Sequence, residues 1–153
     1  MSYSTEQNKQ IVVRFNKECI EQGIPGSFEE LLSNNVINHS APDGMPDGKE
    51  SFYFFLNNVL RRGFSNLKVD ILEQIAERDL VTTRKKIRAT HTGEIFGIPP
   101  SNKKVEINII DIIRLSNGKY AEHWGQSNFD EVLKEISSIE QKAVDNLSRN
   151  GQQ

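Results

Sequence analysis

Two segments in the first half of the chain place apolar residues at helical spacing. In TEQNKQIVVRFNKECIEQG, the residues Ile11, Phe15 and Cys19 recur every four positions, and Gly23 supplies a stop signal. In KESFYFFLNNVLRRG, apolar residues fall at i, i+3, i+4, i+7 and i+8, and Gly63 ends the run. The shorter run SFEELL lies between them. These patterns predict three helices, with a loop rich in Asn, Pro and Gly before the last of them and room in that loop for one short extended piece.

After Gly63 the period of the apolar positions changes from helical to alternating. The segments LKVDILEQI, LVTTRKKIRATHTG and VEINIIDIIRLS predict strands, and a fourth strand begins at Lys119. The dipeptide Asn117-Gly118 between the last two strands favours a two-residue type I′ hairpin turn. A final apolar stripe predicts a helix over about residues 129–147, followed by a frayed tail.

Helices that precede roughly four strands in meander order are typical of an α+β domain. We expect a single domain over residues 1–153, in which the helices pack on one face of a curved antiparallel sheet.

Composition narrows the classes of function. The chain has 153 residues and a formal net charge of −2, which gives no electrostatic reason to bind nucleic acid or an anionic membrane. The one cysteine, Cys19, cannot form an internal disulfide, and no apolar run reaches the ~20 residues that span a bilayer. No signal-peptide pattern opens the sequence. We therefore expect a soluble cytoplasmic protein that binds neither nucleic acid nor membrane.

An aspartate interrupts the apolar strand before the hairpin. Because side chains alternate along a strand, Asp111 shares a face with Ile109 and Ile113, and a two-residue turn pairs it with Trp124. A carboxylate that loses hydration there, with no cation beside it, should have a raised pKa, which suits a general acid or base. The alternative is a structural acid that is hydrogen-bonded, or turned to solvent by a bulge.

The three histidines come from three separate elements. His39, His91 and His123 lack the i, i+4 spacing of a zinc protease, so we expect no metal site. The predicted register directs His123 away from Asp111. Alternation divides the basic run at residues 84–88 between both faces of its strand, and we interpret that strand as solvated or facing another subunit.

One long segment resembles a known family. THTGEIFGIPPSNKKVEINIIDIIRLSNGKYAEHWGQSNF is similar to the SnoaL-like polyketide cyclase and ester cyclase family. In that family a Thr-His-Thr-Gly stretch precedes a Gly-x-Pro-Pro loop, an apolar strand ending in Asp-x-x-Arg, an Asn/Asp-Gly-Lys turn and Glu-His-Trp. Upstream, NHSAPDGMPDGKESFYFFL and GFSNLKVDI also match the pattern, so the resemblance covers roughly residues 8–133.

The resemblance implies an α+β cone like that of nuclear transport factor 2 and ketosteroid isomerase, with a sheet wrapped around helices and an internal pocket. It also implies ring closure of a small hydrophobic carbonyl substrate by intramolecular aldol chemistry, without cofactor or metal. On the motif, Asp111 matches the general acid/base and His91 a hydrogen-bond partner of that acid or of the substrate oxygen. His39, Glu122 and Trp124 match positions expected to line or support the pocket.

The chain departs from the family pattern in two places. GQSN follows the tryptophan, where the family often has an acidic residue, and the basic RKKIRA precedes the Thr-His-Thr-Gly stretch in place of an apolar or aromatic residue. Because of these departures, the resemblance does not identify the substrate.

The leading hypothesis is a cofactor-independent cyclase or isomerase that acts on a carbonyl compound. The alternatives are a non-catalytic small-molecule-binding or dimerisation module of the same fold, and a hydratase or hydrolase in the same pocket. Ile110 and Ile112 face away from Asp111, and a second copy could cover them, so we expect a homo-oligomer, either a dimer or a tetramer. Residues 94–104 are the candidate lid.

Overall fold

The computed structural model describes residues 3–137, in which helices pack against one five-stranded sheet. The elements in chain order are α1 (Thr5–Phe15), continued by a π-helical segment (Asn16–Glu21); α2 (Pro25–Leu31); β1 (Leu32–Asn38); α3 (Lys49–Tyr53), continued by a π-helical segment (Phe54–Leu60) and Arg61–Gly63; β2 (Phe64–Glu77); β3 (Leu80–His91); β4 (Lys104–Ser116); and β5 (Lys119–Ser127). A C-terminal helix follows at 129–137, and the rest of its predicted span lies outside the described residues. The predicted α+β class is confirmed.

The apolar stripe of the first helix forms part of the core. A capping box joins Ser4 and Gln7 at the start of α1, which satisfies free backbone N–H groups there. Val12, Phe15 and Cys19 are buried. The polar Asn16 is also buried, at the point where the helix widens into its π-helical segment.

The sheet has the strand order β1-β5-β4-β3-β2. Four of these strands form the predicted antiparallel meander, since β2, β3, β4 and β5 pair in chain order. The fifth, β1, pairs parallel to β5 at the edge. The Asn- and Pro-rich segment therefore begins in a strand of the main sheet, where the prediction allowed a short extended piece but did not count it among the four strands.

The hairpin between β4 and β5 confirms the predicted turn but not the predicted register. Asn117 and Gly118 both have positive φ, as a type I′ turn requires. Leu115 pairs with Tyr120 as predicted, but Arg114 then pairs with Glu122, so β5 contains one extra residue. This bulge exchanges the two faces of β5 beyond that point.

The two faces of the sheet differ in character. On β4 the residues from Val105 to Leu115 alternate as predicted, with the odd-numbered side chains turned inward, while Ile110 and Ile112 remain exposed on the outer face. On β3 the odd-numbered positions also point inward, and Lys85 is one of them. None of the helices among residues 3–137 is long and apolar enough to cross a membrane.

Candidate active site

A cavity of about 570 Å³ lies between the inner face of the sheet and the helices. Most of its wall is apolar, and includes Phe15, Ile20, Phe52, Phe55, Leu56, Val59, Ile107, Ile109 and Phe129. Its polar residues include Lys85, Asp111, Tyr120 and His123, which come from three adjacent strands. An apolar chamber with a small set of converging polar groups is the usual form of a small-molecule site.

Asp111 is the buried acid of this cavity. Its side chain is 6% exposed, and its Oδ2 oxygen lies 3.1 Å from Lys85 Nζ and 3.7 Å from His123 Nε2. Its Oδ1 oxygen has no hydrogen-bond partner among the described residues. One oxygen therefore lies beside two basic groups, and the other is buried without a hydrogen-bond partner among the described residues.

The expected rise in the Asp111 pKa is wrong in sign. Burial alone would raise this pKa, but the charge of Lys85 and the proximity of His123 outweigh burial and hold it below the ordinary aspartate value. The sequence-based expectation assumed that no cation lies beside the acid, whereas Lys85 on the neighbouring strand supplies one. Asp111 is thus an ionised carboxylate at neutral pH.

His123 approaches Asp111 because of the bulge in β5. The bulge turns His123 inward, whereas the predicted register directed it away. Gly125 pairs with Asp111, and a Cβ at Gly125 would lie 3.0 Å from Cε1 of His123. The missing side chain at Gly125 therefore gives the imidazole its room beside the carboxylate.

Asn38 fixes which nitrogen of His123 exchanges its proton. Asn38 Oδ1 accepts the backbone N–H of Ser40 at 3.0 Å, and Asn38 Nδ2 donates to Ser51 Oγ at 3.0 Å, so the orientation of the amide is determined. His123 Nδ1 lies 2.9 Å from that same Oδ1 and must donate to it. The nitrogen that gains or loses a proton is then Nε2, which faces Asp111.

Tyr120 supplies a hydroxyl to the same chamber. Its ring is fully buried and stacks on Phe15 with centroids 4.3 Å apart. Burial, together with the negative charge of Asp111, raises the pKa of Tyr120 well above its ordinary value. The phenol therefore keeps its proton and can donate a hydrogen bond to an oxygen bound in the cavity.

His91 is not brought to Asp111. It lies at the far end of β3, eight residues beyond Thr83, the residue paired with Asp111, which is about 26 Å along a strand. It is fully buried, and burial lowers its pKa, so the ring is neutral. The backbone N–H of Ser101 donates to His91 Nδ1 at 3.1 Å. His91 holds the loop after β3, and the expectation that it partners the acid is not met.

The other three predicted site residues lie on the opposite face of the sheet. The bulge turns Glu122 and Trp124 outward, with Trp124 opposite the exposed Ile112. His39 stacks on Trp124 at 4.6 Å and lies 2.7 Å from Glu122 through its Nε2. None of the three lines the cavity. They form an external cluster with Arg114, which contacts both Glu122 and the indole ring.

Lys85, His123 and Tyr120 belong to the site, and none of them is among the residues predicted for it. The sequence did indicate that Lys85 points inward, because alternation along β3 places it on the same face as the apolar residues Val81, Ile87 and Ala89. For His123 there was no such indication, since its direction depends on a bulge without a distinct sequence signature. Within residues 3–137 no group of His, Cys, Asp or Glu side chains is arranged to hold a metal ion.

Comparison with known proteins places the chain in a family. A family model described as SnoaL-like polyketide cyclase matches residues 10–136, and the chain belongs to this family. No protein among the curated sequences matches it.

Solved structures share the fold. A protein from Jannaschia sp. CCS1 assigned to the SnoaL-like polyketide cyclases is 25% identical, with a TM-score of 0.75 over 90% of this chain and 97% of that one. IdmH from Streptomyces antibioticus, assigned as a polyketide cyclase, is 23% identical, with a TM-score of 0.74 over 85% and 98%. AclR from Streptomyces galilaeus, assigned as a hydroxylase, is 21% identical, with a TM-score of 0.76 over 88% and 98%. The last two show the fold alone, and their different assignments show that this fold does not define one reaction.

Proposed function

We propose that the protein is a cyclase that closes a ring within an apolar carbonyl compound, with Asp111 as the base. The observation that carries this proposal is the free Oδ1 of a buried, ionised carboxylate in an apolar chamber of about 570 Å³. Membership of the SnoaL-like polyketide cyclase family supports the reaction class.

The proposed reaction begins with removal of a proton from carbon. Asp111 Oδ1 takes the proton from a carbon next to a carbonyl, and the resulting enolate oxygen accepts a hydrogen bond from the Tyr120 phenol. The enolate carbon then attacks a second carbonyl of the same molecule, and a carbon–carbon bond forms. The new alkoxide takes up the proton, so substrate and primary product are isomers. His123 Nε2 lies 3.7 Å from the other oxygen of the acid, Oδ2.

The weak basicity of a carboxylate limits the substrates whose protons it can remove from carbon. A carboxylate of this kind is fully ionised at neutral pH but is a weak base. It suits a carbon flanked by two carbonyl groups, whose proton is far more acidic than that of an isolated ketone. We therefore propose an apolar 1,3-dicarbonyl compound with a further ketone in reach of ring closure.

The test is product analysis with a panel of such compounds, comparing the wild type with Asp111→Asn and with Glu106→Gln. Glu106 is the matched control, because it lies on the same strand but is exposed. The wild type and Glu106→Gln should form an isomer of the substrate or its dehydrated form, and Asp111→Asn should not. Full turnover by Asp111→Asn would refute Asp111 as the base.

A second candidate function is binding without turnover. The ion pair between Asp111 and Lys85 favours it, because a carboxylate engaged by a lysine can serve a purely structural role. Calorimetric binding of panel compounds that are recovered unchanged from the wild type would support this candidate and contradict the cyclase.

A further inference from the structure

Lys85 is a cation in an unusual place. Its side chain is 4% exposed, and it lines the cavity from the middle of β3. A lysine is almost never this deeply buried unless it is paired, since removing its charge from water is unfavourable. The proposed reaction described above assigns Lys85 no step, so its burial in the chamber needs its own explanation.

A second buried residue holds the ammonium group in position. Asn16 Nδ2 donates to the backbone oxygen of Val12 at 2.8 Å, which turns Asn16 Oδ1 toward Lys85. Lys85 Nζ donates to that oxygen at 2.6 Å. Asn16 is 2% exposed, so the helix end and β3 together fix the cation before any ligand binds.

Lys85 forms its ion pair with only one of the two Asp111 carboxylate oxygens. The ammonium group lies 3.1 Å from Oδ2, and His123 approaches the same oxygen, while Oδ1 stays free. The groups that face the carboxylate are Lys85 and the paired Thr83 on β3, and His123 and Tyr120 on β5. Of these, Lys85 is the one whose ammonium group forms an ion pair with the carboxylate at 3.1 Å.

We propose that Lys85 is a positioning residue, which holds the Asp111 carboxylate by its Oδ2 oxygen inside the apolar chamber and leaves the Oδ1 oxygen for the substrate. The proposal rests on the proposed function, in that Asp111 is taken as the base. Without the cation, His123 alone would oppose the effect of burial, and the Asp111 pKa would rise. Lys85 itself forms no bond with the substrate.

The experiment measures the Asp111 titration directly, by carboxyl-carbon NMR with Asp111→Asn for assignment. In the wild type the Asp111 pKa should lie below the ordinary aspartate value, and in Lys85→Met it should be higher than in the wild type. Lys86→Met is the matched control, because Lys86 is the next residue of β3 and its half-exposed ammonium group pairs with Glu106 at 3.6 Å. In that variant the Asp111 titration should not change.

Asn16→Asp provides a second variant that retains the cation. It conserves the size of the side chain and shares Lys85 between two carboxylates, so it should raise the Asp111 pKa in the same direction but by less. This variant tests the proposal even if Lys85→Met fails to fold. An Asp111 titration unchanged from wild type in Asn16→Asp, or in folded Lys85→Met, would overturn the proposal.

The effect of Lys85 on catalysis is measured with a compound that reacts with any suitably placed base. 5-Nitrobenzisoxazole opens to a nitrile and a phenolate when a base removes its C3 proton and the N–O bond breaks. In Lys85→Met the ring-opening rate should be lost in mildly acidic buffer and recovered in mildly alkaline buffer, in step with the Asp111 titration. Loss at every pH, with Asp111 ionised, would instead make Lys85 a residue that touches the substrate. A third outcome is possible: the Asp111 titration shifts in Lys85→Met, but the wild type does not open the probe. That result would support the role of Lys85 and refute the proposed function.

Discussion

The buried ion pair between Lys85 and Asp111 gives the strongest prediction for stability. Both side chains are at most 6% exposed, and their charged atoms are 3.1 Å apart. Removal of one partner leaves the other as an isolated charge in an apolar environment. Replacement of both, as in Lys85→Met with Asp111→Leu, removes the charges together.

The size of the effect follows from the distance. At 3.1 Å, and with an effective dielectric constant of about 20, the attraction is about 5 kcal/mol. Breaking a buried pair by removing one partner usually costs about 3–5 kcal/mol, whereas replacing both by apolar residues is often neutral or stabilising. We therefore expect Lys85→Met to lower the free energy of unfolding by about 3–5 kcal/mol at neutral pH, and the double variant to recover most of this loss.

The effect should depend on pH with a definite sign. In the wild type the lowered Asp111 pKa contributes stability that is present above the ordinary aspartate pKa and is lost as the pH falls through the folded-state pKa. In Lys85→Met the acid can relieve its burial only by taking up a proton. The penalty of Lys85→Met should therefore be largest at neutral pH and shrink in acid.

Urea unfolding provides the assay, with Trp124 as the single tryptophan reporter. The matched control is Lys86→Met, which breaks the exposed pair with Glu106 on the outer face of the same two strands. That pair should contribute about 0.2–1 kcal/mol. Equal, small losses in Lys85→Met and Lys86→Met at neutral pH would refute the reasoning about the buried pair.

Three further predictions concern other contacts of the fold. Gly93→Ala should lower the melting temperature, because its Cβ would lie 2.1 Å from the backbone oxygen of Arg62. Gly26→Ala is the control and should have little effect, because nothing lies within 4 Å of its Cβ. Equal melting temperatures for the two variants would contradict this prediction. Gly125→Ala should slow the opening of 5-nitrobenzisoxazole, because the added Cβ displaces His123. The midpoint of urea unfolding should change little. An unchanged rate of ring opening would show that the position of His123 is unimportant. The expected homo-oligomer should be seen by sedimentation, and Ile110→Lys on the exposed outer face should dissociate it, while a monomeric wild type would contradict that expectation.

The β4–β5 hairpin shows what local sequence can predict. Asn117-Gly118 specifies the turn, and the alternation of β4 places Asp111 inward, because both depend on backbone preferences of a few neighbouring residues. The bulge in β5 is different, since an extra residue in one strand is stabilised by contacts across the sheet. One such residue moved Trp124 and Glu122 out of the predicted site and brought His123 into it.

Lys85 shows a second limit of prediction from sequence, because a charged residue in a strand can be either exposed or buried. A run of basic residues is usually solvated, and three of the four charges between residues 84 and 88 do remain at least partly exposed. Whether one of them is buried depends on a partner that is distant in sequence. Here the partners are Asn16, on a helix, and Asp111, two strand positions from the residue opposite Lys85. The parallel pairing of β1 with β5 is likewise a contact between distant segments that no local pattern predicts.

The most direct test of the central claim is the rate at which the wild type opens 5-nitrobenzisoxazole, compared with the rate of Asp111→Asn. This probe needs only a base that is accessible from the cavity, so it does not depend on knowledge of the natural substrate. If Asp111 Oδ1 is that base, the wild type and Glu106→Gln should open the ring faster than buffer, and Asp111→Asn should not. Equal rates for the wild type and Asp111→Asn would contradict the account.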